Sequence, residues 1–185
     1  MAEHVILFAG PMGAGKTTAI QSLSEIAVVS TEAANTERDI VDKATTTVAL
    51  DYGEITVSDD EKIRLYGVPG QRRFDFMWSI LKARARGLVL LVNNDAPEAV
   101  ALAIEYLRNF EELVASGGVV VGVTRVDLGA GPVTGDYQAA LAEAWPGAMI
   151  PVLTLDPRMP RRCRRPSSPS LPSSMRERAS PPSRS

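Results

Sequence analysis

The segment Gly10-Pro11-Met12-Gly13-Ala14-Gly15-Lys16-Thr17 is where residue type and spacing carry the most chemistry. It satisfies the phosphate-loop pattern G-x-x-x-x-G-K-[ST]. Its glycines let the backbone wrap an anion with N–H groups. The helix that follows, which contains Thr18, adds a dipole favourable to negative charge. Lys16 is placed to bridge β- and γ-phosphate oxygens, and Thr17 to ligate Mg²⁺ through its hydroxyl. These residues predict binding of a nucleotide but do not say which base.

Two further constellations bear on the base and the reaction. Tyr66-Gly67-Val68-Pro69-Gly70-Gln71 follows a strand-like run. Gly70 there can give its N–H to a γ-phosphate, and Gln71 can orient an attacking water; Pro-Gly is equally a turn signal. Thr124-Arg125-Val126-Asp127 closes the apolar run VVVGV. Ligands bind at the carboxyl ends of strands in open α/β sheets. A carboxylate at Asp127 can accept two N–H donors from a guanine edge, a pair that adenine does not present. Taken alone, T-R-V-D also reads as a polar strand end.

The elements that must position these groups alternate. His4–Ala9 is a short apolar strand, and Lys16–Ala27 a helix with Ile20, Leu23 and Ile26 on one face. Residues 30–44 form a polar loop. Thr45–Val57 and Lys62–Tyr66 alternate as two strands of a hairpin, joined by a turn at Ser58–Glu61. Gly87–Val92 is a buried strand, Pro97–Ala115 a helix stopped by Gly117-Gly118, and Val119–Val123 another buried strand. Tyr137–Ala144 reads as a short helix and Ala148–Leu153 as a last strand. Strands buried on both faces and separated by helices predict an α/β fold: a mostly parallel sheet with helices on both sides and an antiparallel edge.

The 185 residues suit about one domain, with 45% hydrophobic and 23% charged residues. A single cysteine, Cys163, excludes an internal disulfide and a Cys-based zinc site. The lone histidine, His4, excludes a His–His metal site and reads as a solvated strand end. No run is long and apolar enough for a membrane helix, and no signal peptide precedes the first strand. The formal charge of -2 joins two unlike pieces. Residues 158–185 hold eight Arg, one Glu, eight Ser and six Pro, a formal +7; residues 1–157 sum to -9. Such a tail buries too little apolar surface to order itself. The expected division is a nucleotide-binding domain over 1–156 and a basic disordered tail over 157–185. Eight Arg and Cys163 leave peripheral membrane association open, but without aromatics or a motif no specific nucleic-acid binding is expected.

Taken together, GPMGAGKTT, the STE segment, TTTVALDYG, LYGVPGQRRF and FMW resemble the Ras-like small GTPases. The resemblance is to the bacterial branch that includes the gliding-polarity GTPase MglA and the GTPases of actinobacterial conservon operons. It covers roughly residues 3–156. It implies a cytoplasmic regulatory switch that hydrolyses GTP to GDP with Mg²⁺, slowly for want of a clear arginine finger, and a roadblock-type regulatory partner. Thr47, 23 residues before Gly70, resembles the switch I threonine that ligates Mg²⁺, with Thr45 and Thr46 as alternatives. Gly70 and Gln71 resemble switch II, with Gln71 positioning water beside Lys16. Thr124, Arg125 and Asp127 resemble the base-reading N-K-x-D motif, and Thr154–Asp156 the short loop that touches the base. An ATP-using P-loop enzyme and a non-hydrolysing nucleotide-binding adaptor are the alternatives.

Three departures stand out. Gly67 occupies the place of the Asp in D-x-x-G, which holds Mg²⁺ through water. Thr124 and Arg125 replace the residues that brace the base loop, which predicts softer guanine selectivity. After Asp156, where that family has a long amphipathic helix, an Arg/Pro/Ser mixture with Pro157, Pro160 and Pro166 blocks one. The abrupt change fits a shifted reading frame in a GC-rich gene or a natural basic tail, and translation of the neighbouring frame separates the two.

Overall fold

The computed structural model describes residues 2–30, 50–68, 81–128 and 131–158. Seven strands, β1 (Ala2–Ala9), β2 (Val29–Ser30), β3 (Asp51–Ser58), β4 (Glu61–Gly67), β5 (Ala85–Asn93), β6 (Val119–Thr124) and β7 (Val152–Thr154), form one sheet. Their order is β2-β3-β4-β1-β5-β6-β7. β1 pairs in parallel with β4 and β5, and β5, β6 and β7 continue the parallel ladder. β2 and β3 make the antiparallel edge. The α/β sheet expected from the strand and helix patterns is therefore the fold observed. β2 is a strand that periodicity does not predict; it is two residues long.

Alternating side chains divide the core between two faces. On one face Leu7, Leu88, Leu90, Val92, Val121 and Val123 pack against three helices, α2 (Ala99–Arg108), α3 (Glu111–Ala115) and α4 (Thr134–Ala144). Ala103, Leu107 and Tyr137 in these helices are fully buried. On the other face Phe8, Leu65 and Leu91 pack against Ala19 and Ile20 of α1 (Lys16–Leu23). Among the described residues α1 is the sole helix on that face, and Ile6, Ile55, Ile63 and Val89 around it are only partly buried. No helix follows β7 as far as residue 158, the last residue described.

Several boundaries differ from the periodicity. α1 ends at Leu23, not Ala27, because the Ser24 side chain captures backbone groups that a longer helix would need. Its hydroxyl accepts from the N–H of Ile26 at 3.2 Å and from that of Glu54 on β3 at 3.1 Å. Leu23 and Ile26 therefore stand 42% exposed instead of sharing a buried face with Ile20. The span Pro97–Ala115 is two helices. Phe110 between them turns its ring into the core with φ -128°, and Asn109 Nδ2 donates to the Glu105 carbonyl at 3.2 Å. α4 begins three residues before Tyr137, where the Asp136 carboxylate accepts the Val133 N–H at 2.9 Å. Of Ala148–Leu153 only Val152 and Leu153 pair as strand, in β7, which runs one residue further to Thr154; Pro151 has no N–H to give a ladder. The 30–44 loop lies outside the described residues apart from Ser30. His4 pairs with Glu61 at 2.9 Å across adjoining strand ends.

The split of α1 yields a direct stability comparison. Ile20→Ala is expected to cost about 2–5 kcal/mol and Ile26→Ala to stay within about 0.5 kcal/mol. Urea denaturation of the two variants measures both, and equal losses would restore the longer helix.

Candidate functional site

The parallel register brings the carboxyl ends of β1, β5, β6 and β7 to one edge, and the candidate site is built there. β1 ends at Ala9, and the chain turns at Gly10 with φ +137°. A Cβ on Gly10 would stand 2.0 Å from the Leu91 carbonyl oxygen of β5. Glycine alone allows that approach, so the loop lies directly on the end of the neighbouring strand. Gly13 and Gly15 also have positive φ, 76° and 93°, and Gly15 leads into α1. Lys16 Nζ donates to the carbonyls of Gly10 and Pro11 at 2.9 Å each. Its ammonium thus sits inside the curve of the loop. Burial pushes the Lys16 pKa down to about 8, against the opposing pull of the Asp51 carboxylate.

The loop that carries Arg125 and Asp127 leaves β6 at Thr124. This side chain is buried, and its hydroxyl donates to the Val92 carbonyl at 3.2 Å. Arg125 follows with φ +58°, a conformation that is strained for a side chain of its size. Its guanidinium donates to the Gly13 carbonyl at 3.0 Å and pairs with Asp95 at 3.3 Å. Arg125 is therefore a tie between the loop after β6 and the phosphate loop. Asn93, at the end of β5, adds a second link by donating to the Met12 carbonyl at 3.4 Å. Met12 itself is exposed.

These pieces line one cleft of about 700 Å³. Gly13, Ala14, Gly15 and Thr18 form one wall; Thr124, Arg125 and Asp127 form another; Thr154–Arg158 closes the third side. Asp127 is exposed at its edge. Pro157, assigned to the tail by composition, packs on the phosphate loop: its Cγ lies 2.7 Å from where a Cβ on Gly15 would stand. Asp156 is engaged bidentately by Arg158 at 2.8 and 2.9 Å, which holds its carboxyl below the usual range. Thr17, next to this cleft at the start of α1, donates its hydroxyl to Asp51 of β3 at 2.5 Å.

Gly10 to Thr18 and Thr124, Arg125 and Asp127 are thus gathered at one edge of the sheet. Thr45, Thr46, Thr47, Gly70 and Gln71 lie outside the described residues. Three residues that the motifs do not pick out join the site: Asp51, Asn93 and Asp95. The signal for Asn93 and Asp95 was the polar stretch Asn-Asn-Asp directly after the apolar run GLVLLV, at a strand's carboxyl end. Asp51 carries no local signal.

Sheet order, phosphate loop and cleft together define a P-loop nucleotide-binding domain. The chain belongs to the family described as conserved hypothetical ATP binding proteins, whose model matches residues 26–130. The uncharacterized protein MJ1339 of Methanocaldococcus jannaschii is 33% identical over 90 residues, which make up 48% of this chain. The chain spans about half the length of that relative, 51%. The crystal structure of the G domain of the T. maritima FeoB iron transporter is similar at a TM-score of 0.50 and 18% identity. That match covers 84% of this chain and 89% of the other, a likeness of fold. Among the described residues no helix is long and apolar enough to cross a membrane.

The lowered Lys16 pKa has a definite sign. Between about 8 and the ordinary 10.5, the unfolded chain binds the proton that the folded chain has lost. Stability from this group therefore rises as pH increases through that window and is absent below it. Denaturant titrations of the ligand-free protein at pH 7.5 and pH 10 should show this increment in the wild type and lack it in Lys16→Met.

Proposed function

We propose that the chain is a guanine-nucleotide switch that hydrolyses GTP to GDP with Mg²⁺. The observation that carries this reading is Asp127 on the same cleft as Gly13–Gly15. A carboxylate there accepts the ring N–H and the exocyclic amine of guanine. The Arg125 bond to the Gly13 carbonyl supports it, because it holds the base-reading loop at a set distance from the phosphate loop. Arg125 thereby serves as the brace that the altered base motif was expected to lack.

In this reading Lys16 and the N–H groups of Met12–Thr18 stabilise charge that develops on the phosphate oxygens. Among the described residues no group of three or more His, Cys, Asp or Glu stands together as a metal cage. Mg²⁺ is usually held by a few protein oxygens plus substrate phosphates. Thr17 is the ligand in the described residues, and Thr47 is assigned with it from the resemblance. A Mg²⁺ held there would supply neutralisation of the phosphate charge. Gln71 orients the attacking water and Gly70 contacts the γ-phosphate. The MglA-like specialisation, the roadblock-type partner, the cytoplasmic setting and the division into a domain over 1–156 and a tail over 157–185 belong to the same reading. They rest on sequence.

The family description favours a second reading, ATP as the nucleotide. Competition titration separates the two. GTP is expected to displace a bound GDP analogue at concentrations where ATP does not. Asp127→Asn should weaken GTP by about 10–100-fold, the worth of hydrogen bonds to a charged group, and leave ATP unchanged. Equal displacement by ATP in the wild type sinks the guanine reading. Single-turnover hydrolysis should fall on Gln71→Ala; no turnover in the wild type makes the chain a binding adaptor.

A further inference from the structure

The Gly67 departure has a structural counterpart. Gly67 ends β4, directly opposite Asp51, the first residue of β3 in the antiparallel pair. A Cβ on Gly67 would stand 3.1 Å from Asp51 Cβ and 3.2 Å from Asp51 Oδ2. The Asp51 carboxyl group therefore occupies the space into which a residue-67 side chain would grow. It is also the group that accepts the Thr17 hydroxyl proton, at 2.5 Å.

We infer that Asp51 supplies from β3 the carboxylate that Gly67 does not, positioning Thr17 and the water shell of the Mg²⁺ that accompanies the nucleotide. The inference rests on the Mg²⁺-nucleotide reading above but is independent of which base is bound. A threonine hydroxyl has one proton and two lone pairs. With the proton committed to Asp51, the lone pairs are free to face a cation. A carboxylate bonded to a ligating hydroxyl also makes that hydroxyl a stronger donor to the metal. Its second oxygen would be able to accept a hydrogen bond from a water of the ion's shell. Across the β3–β4 pair, the carboxylate and the missing side chain are complementary: an Asp at 67 crowds Asp51, and a glycine admits it.

A structural tie between β3 and α1 would use the same Thr17–Asp51 bond, so the test must read the ion. Release of fluorescent GDP and ADP analogues is followed by stopped flow in Mg²⁺ and in EDTA, for wild type and Asp51→Asn. Asparagine keeps the size and an acceptor for Thr17, and the melting temperature of the variant checks its fold. Mg²⁺ should slow release from the wild type. Asp51→Asn should shrink that Mg²⁺ effect, read as the ratio of the release rates in EDTA and in Mg²⁺, by about 10–100-fold, the usual cost of losing an outer-shell partner. The exchanged pair Asp51→Gly with Gly67→Asp should recover the Mg²⁺ effect. A wild type that releases nucleotide equally in Mg²⁺ and EDTA overturns this inference together with the Mg²⁺-nucleotide reading. A wild type that shows the Mg²⁺ effect beside an Asp51→Asn that keeps it in full overturns the Asp51 assignment alone.

Discussion

The approach of Gly10 to the Leu91 carbonyl is the constraint from which the rest of the site follows. It seats the phosphate loop on the end of β5, and only a residue without a Cβ allows that seat. Once the loop is seated, its carbonyls curve around Lys16, and α1 leaves at an angle that packs Ile20 between β3 and β4. The same seat brings Met12 within reach of Asn93 and Gly13 within reach of Arg125. A loop displaced from β5 would lose both links, and the loop after β6 would no longer keep a set distance from the phosphate loop.

The site divides into parts that were legible in the sequence and parts that were not, and the reason is physical. The phosphate loop is a local device: glycine conformations, a lysine and a helix start lie within eight residues, so pattern alone exposes it. Asp127 was legible because strand ends in parallel sheets are where ligands sit. Asp51 was not, because its role depends on cross-strand register with Gly67 and on α1 bringing Thr17 alongside, contacts made by residues 16 to 34 positions away. The length of α1 failed for the same reason: Ser24 ends it by bonding Glu54, 30 residues on. The Pro97–Ala115 span kept helical periodicity throughout, yet burial of Phe110 outweighed continuity.

Arg125 shows how a departure from a motif can be accommodated. Lysine presents a point charge, whereas the guanidinium offers a fork of donors. Arg125 uses that fork on two partners at once, Gly13 in the phosphate loop and Asp95 after β5. Bridging both costs a left-handed backbone at a bulky residue, of the order of 1–3 kcal/mol. That strain persists because the guanidinium is held at both ends, so the two loops form one unit.

The two sheet faces are covered unequally in the described residues, and this bears on how a ligand would act. Three helices seal one face, while α1 alone packs the other, with Ile6, Ile55, Ile63 and Val89 partly exposed around it. The phosphate loop and Thr17 are anchored on this thinner side. A ligand that grips the loop and the α1 N-terminus adds its binding energy to the face that a single helix covers among the described residues. At a hundred times its dissociation constant such a ligand adds about 2.7 kcal/mol to the folded state. That is comparable with the burial of one large aliphatic side chain. A ligand bound there acts directly on the α1 face, while the other face is covered by three helices with their own core.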